Sequence, residues 1–234
     1  MNEPRSQTDV VVDAVQQMIL DGRLGPGQRL PVEKDLAEQL GVSRGSLREA
    51  VRALSALGVL ETRQGAGTFV TTLSPDRLLG GLGFWVKLQA GPSAVHAHQV
   101  RRVLEVEAVG QAASRFTDAD TERGRAVLDR AAAAIAADPP EHEVMLQADL
   151  EFHRMIANLA GNPVLSALID AISAPTVGTR WAALFNSPRL HATHHEHEAI
   201  LAALAERAPD RARSWMEVHL YGVEATLPRH PAGD

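Results

Sequence analysis

A chain of 234 residues, 45% hydrophobic and 22% charged, can bury one large core or two modest ones, which excludes a disordered or fibrous protein. Its net charge of −6 excludes a protein that coats nucleic acid through its overall field, and its lack of cysteine excludes disulfides and thiolate metal sites. No secretory signal or membrane span is legible, since the most apolar run, Leu78 to Val86, contains three glycines and is too short; the expected setting is reducing and cytoplasmic, with no membrane partner.

Aromatic residues make up only 4% of the chain while alanine and leucine abound, so the fold class is expected to be mainly α. Residues 1–72 hold eight Lys/Arg against nine Asp/Glu, and all ten histidines lie beyond residue 90, which points to two parts with different chemistry. Any contact with DNA must then come from locally placed arginines.

Residues 1–7 are polar and expected to be loose. Thr8 or Asp9 can cap a first helix with an apolar stripe of Val11, Val12, Val15, Met18 and Ile19, ending before Gly22. Leu24-Gly25-Pro26-Gly27 reads as a turn, Pro31 suits the first turn of a second helix, and Gly41 ends it. In the next helix Ser43 is the expected N-cap and Val42 can staple against Leu47. Leu47, Ala50, Val51 and Leu54 share one face, while Arg48 and Arg52 lie opposite and Arg44 at the flank. Such arginines either form a solvated face or reach guanine edges and phosphates. Two short β-prone runs, Val59–Arg63 and Thr68–Thr72, flank Gln64-Gly65-Ala66-Gly67 and predict a two-stranded wing. Arg63, Gln64 and the glycine amides would be available to phosphate or minor groove.

The stretch from Ile19-Leu20-Asp21-Gly22-Arg23-Leu24-Gly25-Pro26-Gly27 through Leu30-Pro31-Val32-Glu33-Lys34-Asp35-Leu36-Ala37, Gly41-Val42-Ser43-Arg44, Arg48-Glu49-Ala50 and Gly65-Ala66-Gly67-Thr68-Phe69-Val70 resembles the winged helix of the GntR family of bacterial repressors. The resemblance implies DNA contacts by Lys34, Arg44 and Arg48, with Ser43, Ser46, Gln64 and Gly65 nearby. Val32 and Gly45 depart from the family pattern; a glycine at 45 forgoes a side-chain contact but lets backbone approach closely.

Domain limits are expected at 1–72 for the winged helix-turn-helix, 73–76 for a linker and 77–228 for an all-α bundle of about seven helices. The predicted helices run 77–89, 94–116, 118–137, 141–160, 162–186 with a kink at Pro175, 190–206 and 208–226. Breaks are expected at Gly91-Pro92, Asp138-Pro139-Pro140, Gly161-Asn162-Pro163 and Ser187-Pro188, among others.

Asp149 and His153 lie one helical turn apart, flanked by Met145, Phe152 and Ile156, so both point inward. His197 shares a face with Ile200, Leu201 and Leu204, and His219 with Ala212, Trp215 and Val223. Burying such groups costs several kcal/mol unless they are paired or ligated, and one shared metal ion satisfies all four. A lone inward histidine is more often a hydrogen-bonded core residue; three beside a carboxylate point to a metal. His191, His194 and His195 are read as solvated, and His96, His98, His142 and His230 as uninformative.

Asp149-Leu150-Glu151-Phe152-His153, His197-Glu198-Ala199-Ile200 and His219 match the ligand pattern of the FCD effector domain, the helical partner of GntR winged helices in the FadR-like subfamily. The resemblance, over about residues 77–226, implies an Asp149, His153, His197, His219 metal site holding zinc, nickel or manganese. It further implies open coordination positions for a small organic acid. Arg101-Arg102-Val103-Leu104-Glu105 resembles a segment early in that domain; Arg101 either clamps an anion or pairs with Glu105. Arg180 and Trp181 either line the same cavity or belong to plain core.

The function implied is a ligand-responsive regulator, a repressor, that binds a palindromic double-stranded DNA operator as a homodimer and answers to a sugar acid or hydroxy acid. Two alternatives are a metal-responsive regulator and a metal-dependent hydrolase with Glu151 or Glu196 as base. The chain is expected not to be an enzyme, because a hydrolase has no use for a winged helix.

Overall fold

The computed structural model describes residues 5–88, 94–185 and 189–227, and divides into two compact units, 1–81 and 82–234. The breaks expected at Gly91-Pro92 and Ser187-Pro188, and His230, lie outside the described residues.

The first unit holds α1 (Gln7–Leu20), α2 (Glu33–Leu40), α3 (Arg44–Ala56), β1 (Leu60–Arg63), β2 (Gly67–Val70) and a short α4 (Pro75–Leu78). The start of α1 differs from expectation. Ser6, not Thr8 or Asp9, is the N-cap, and it forms a reciprocal capping box with Asp9. Helix α2 starts two residues after Pro31, with Val32 at the cap and no side-chain acceptor there. Helix α3 follows the sequence pattern, with the Ser43 hydroxyl accepting from the Ser46 amide at 3.0 Å and Leu47, Ala50 and Leu54 buried. These residues pack with Val11, Val15, Leu36, Leu60 and Val70 into one core.

Strands β1 and β2 pair antiparallel, Leu60 opposite Val70 and Arg63 opposite Gly67, and Gly65 turns the tip at φ +73°. Beyond the predicted wing, the segment after α1 joins it. The Gly27 amide donates to the Val70 carbonyl at 2.9 Å and the Leu30 amide to the Thr68 carbonyl at 2.8 Å, tying the helices to the hairpin.

The helix predicted over 77–89 is two pieces, α4 and α5 (Gly80–Leu88), parted at Leu79 before two glycines. The second unit continues with α6 (Ala94–Ala113), α7 (Asp118–Ala136), α8 (His142–Leu159), α9 (Pro163–Phe185), α10 (Arg189–Ala205) and α11 (Pro209–Glu224). Helix α9 continues through Pro175. Helix α6 packs on α8, α9 and α11, while α10 packs on α7 and α11. Val109, Val127, Phe152, Ile156, Ile200, Leu204, Met216 and Leu220 fill the core between them. Side chains at one end of that core, on α6, α8, α10 and α11, are polar, and they build the site below. Among the described residues no helix is long and apolar enough to cross a membrane.

Candidate functional site

In the first unit, Arg48 and Arg52 stand exposed on the face of α3 opposite its buried stripe, and Arg44 is exposed at its flank. Ser43 and Ser46 hold the start of that helix: the Gln7 side-chain oxygen accepts from the Ser43 amide at 3.1 Å and from the Ser46 hydroxyl at 3.2 Å. Arg48 Nε donates to Glu33 Oε2 at 2.9 Å, an exposed pair that orients the arginine more than it stabilises the fold. Glu33, Leu47 and Val51 line a groove of about 360 Å³ with Gln64 and Gly65 of the wing and Arg29. Lys34 and Arg44 are exposed outside that groove. Arg63 donates to Glu61 at 2.9 Å and lies 4.6 Å from the centre of the Phe69 ring, so the structure employs it within the hairpin. Arg29, which the sequence did not single out, lays its guanidinium against Gly67.

In the second unit the four expected ligands come together. One ligand atom from each of Asp149, His153, His197 and His219 lies within 4.8 Å of the others, and all four residues are buried. Helix α8 supplies Asp149 and His153 one turn apart, α10 supplies His197 and α11 His219. His153 Nε2 and His197 Nε2 stand 3.6 and 3.7 Å from Asp149 Oδ1, and His197 Nε2 is 3.2 Å from His219 Nε2.

The far sides of two rings explain why those nitrogens face one point. His153 Nδ1 donates to Glu105 Oε2, and His219 Nδ1 lies 3.3 Å from Glu196 Oε2. A neutral imidazole that donates through Nδ1 carries its lone pair on Nε2, the tautomer a metal requires. Burial, reinforced by neighbouring imidazoles, pushes the pKa values of His197 and His219 far down, so both are neutral at pH 7. Burial opposes the charge of Asp149, but His153, His197, Arg180 and Arg101 outweigh it and hold the carboxyl below its ordinary range. Among the described residues, the buried His153 Nε2 has no hydrogen-bond partner. Converging lone pairs, a carboxylate and an orphaned ring nitrogen fit a divalent cation with mixed nitrogen and oxygen ligands.

Arg101 forms the expected pair with Glu105. Its side chain is buried, and Nε donates to Glu105 Oε1 one turn away, while the buried Nη2 has no hydrogen-bond partner among the described residues. Arg180 is also buried, with Nη2 3.7 Å from Asp149 Oδ2. Burial, then the charge of Arg101, lowers its pKa to about 9, which leaves it charged at neutral pH. Trp181 packs with Met145, Val177 and Leu184, and it also borders a cavity of about 10 Å³ beside Asp149 and His197, room for about one water.

Sequence reasoning missed the roles of three residues. Glu105 was read only as a partner for Arg101, yet it also orients His153 from 48 positions away. Glu196 was weighed only as a base, and it is committed to Arg189 and His219. His98 was passed over, and its buried Nε2 lies 2.7 Å from the Leu220 carbonyl oxygen. His194 borders the small cavity, whereas it was expected to be solvated; His195 is exposed.

A winged helix-turn-helix joined in one chain to a helical bundle with a buried, metal-competent centre defines a DNA-binding regulator built in two parts. The model of the bacterial regulatory proteins of the gntR family matches residues 7–70, and that of the FCD domain matches residues 96–222. The chain belongs to the GntR family, in the FadR-like subfamily that pairs the winged helix with an FCD domain. It is 31% identical over 227 residues to the HTH-type transcriptional repressor NanR of Citrobacter rodentium (strain ICC168), across 94% of this chain and 84% of that one. It is 32% identical over 234 residues to the putative L-lactate dehydrogenase operon regulatory protein of Escherichia coli (strain K12), across 97% and 88%. Among solved structures, Streptococcus agalactiae GntR superposes with a TM-score of 0.61 at 26% identity, covering 94% of this chain and all 100% of that one. These relatives are regulators, not enzymes, which removes the hydrolase alternative. Glu151, one of its two candidate bases, is exposed and paired with Arg130.

Proposed function

We propose that the protein is a cytoplasmic repressor that binds a palindromic operator as a homodimer and releases it when a small carboxylate, a sugar acid or hydroxy acid, enters the helical domain. In this reading Lys34, Arg44 and Arg48 meet the DNA, with Ser43, Ser46, Gln64 and Gly65 close by. Asp149, His153, His197 and His219 hold a divalent ion, zinc ahead of nickel and manganese. When bound, that ion supplies a positive point to which a carboxylate can attach. Arg101, with Arg180 and Trp181 nearby, takes the rest of the acid.

The observation that carries the effector half is Arg101 Nη2, a buried guanidinium nitrogen with no acceptor among the described residues, on the arginine whose Nε shares Glu105 with the metal-facing His153. Leaving such a donor buried costs about 1–3 kcal/mol, a cost an anionic ligand removes. One relative is named a repressor and another is named for an L-lactate dehydrogenase operon, whose substrate is a hydroxy acid. A metal-sensing role is the weaker reading, because four buried ligands on three helices favour a resident ion.

Operator binding measured by fluorescence anisotropy, with metal-loaded protein and rising concentrations of candidate acids, tests the proposal. A true effector weakens operator binding, and the operator weakens the effector equally. Unchanged anisotropy with every sugar acid and hydroxy acid tried would sink the release mechanism.

A further inference from the structure

We propose that Glu196, braced by Arg189, is a positioning residue that selects the metal-binding tautomer of His219, and that Gly222 is the seat that lets Arg189 do so. The inference rests on the reading of Asp149, His153, His197 and His219 as a metal centre.

His219 is the most deeply buried of the three histidine ligands, and it has two ways to satisfy its one ring proton. With the proton on Nδ1 it donates to Glu196 Oε2, 3.3 Å away, and Nε2 offers a lone pair to the shared centre. With the proton on Nε2 it donates instead to His197 Nε2 at 3.2 Å, and both nitrogens are lost to a metal. The acceptor behind Nδ1 favours the first of these states. Glu196 is that acceptor, a carboxylate 5% exposed on α10 immediately before His197.

A carboxylate so placed needs a counter-charge to stay ionised. Arg189 Nη2 provides it, at 2.8 Å from Oε1 and 3.0 Å from Oε2. The guanidinium is held in turn against the backbone of α11. A Cβ built on Gly222 would lie 1.8 Å from Arg189 Nη2 and 2.4 Å from Cζ, so only glycine admits it. Gly222 sits three residues after His219, on the same side of α11. A glycine inside a helix is disfavoured against alanine, and here it makes room for the brace. Arg101, Glu105 and His153 repeat the pattern on the other side of the centre, so two of the three imidazoles are each set by an arginine-held glutamate.

Zinc binding to the full chain by competition with a chelating indicator tests this, alongside imidazole nitrogen NMR of the metal-free protein. Wild type should take up about one zinc per chain and show His219 protonated on Nδ1. Glu196→Ala should weaken zinc binding about 10- to 100-fold and move the His219 proton towards Nε2. Glu196→Gln, whose amide oxygen still accepts from Nδ1, should recover part of the affinity and keep the tautomer. Gly222→Ala, which displaces Arg189, should weaken zinc in the same direction with melting of the metal-free protein little changed. Wild type that binds zinc while Glu196→Ala and Glu196→Gln bind it within twofold, tautomer unaltered, overturns the positioning role alone. Wild type that takes up no zinc overturns the metal centre and this inference with it.

Discussion

A divalent ion bound at the proposed centre should raise the stability of the helical domain by an amount that mass action sets. Four ligand atoms within 4.8 Å of one another exist as a set only in the folded chain, so an ion that binds there stabilises the native state by mass action. With free zinc at a hundred times its dissociation constant the gain is about 2.7 kcal/mol. A chain of this size shifts its melting temperature by about 2–4 °C per kcal/mol, so zinc should raise the midpoint by roughly 5–11 °C over chelated protein. His197→Ala removes one ligand, and the shift should fall below about 2 °C. Circular dichroism at 222 nm, with and without one equivalent of zinc, measures both. A full shift in His197→Ala, or none in wild type, would falsify the ligand assignment.

Arg44→Ala and Arg48→Ala should each weaken operator binding by about 1–3 kcal/mol and lower the salt dependence by about one unit where the contact is to phosphate, leaving zinc uptake unchanged; anisotropy titrations over a range of salt read this. Gly45→Ala should stabilise the first unit by up to ~1 kcal/mol yet impair operator binding, because a Cβ there meets only Ser43 Oγ, at 3.5 Å, and the fold does not demand glycine. Unimpaired binding in that variant would refute close backbone approach. Stability should fall on acidification through His98. Burial first, then the charge of Arg101, lowers its pKa to about 3, so the folded state stays neutral while the unfolded chain takes up a proton from about 6.5 downwards. Its contribution is whole above that pH and is lost as pH falls towards 3, by about 2 kcal/mol between pH 6.5 and 4.5. Denaturant melts of His98→Gln should show a shallower loss over that window than wild type.

The parts legible in the sequence are those where one helix carries the whole signal. Ser43 with Leu47, Ala50 and Leu54 announces α3, and the i, i+4 spacing of Asp149 and His153 places both on the buried face of α8. Across helices the signal fades. Nothing local links Glu105 to His153 or Glu196 to His219, because those pairings exist only once α6, α8, α10 and α11 have packed. Leu24–Gly27 reads as a turn, and nothing local shows that the amides of Gly27 and Leu30 beyond it pair with the open edge of β2. Ser6 and Asp9 held a capping box in plain view, and the start of α1 was missed by placing the cap too close to the apolar stripe.

Charge balance ties the two halves of the proposed site together. Among the described residues around the four ligands, the buried charges of Arg101 and Arg180 face those of Glu105 and Asp149, Glu196 is balanced by the less buried Arg189, and His197 and His219 are neutral. An interior balanced in this way has no need of a cation for its own sake. A divalent ion bound there would therefore add two positive charges to a region where water cannot screen them, and an effective dielectric near 20 makes each uncompensated contact worth about 4 kcal/mol at 4 Å. The cheapest compensation is an anion that touches the ion and the open nitrogen of Arg101 together. A neutral ligand would leave that excess in place. On the proposed reading, the same buried arginines that hold Asp149 and Glu105 ionised would favour a small carboxylate over an alcohol, amine or uncharged sugar.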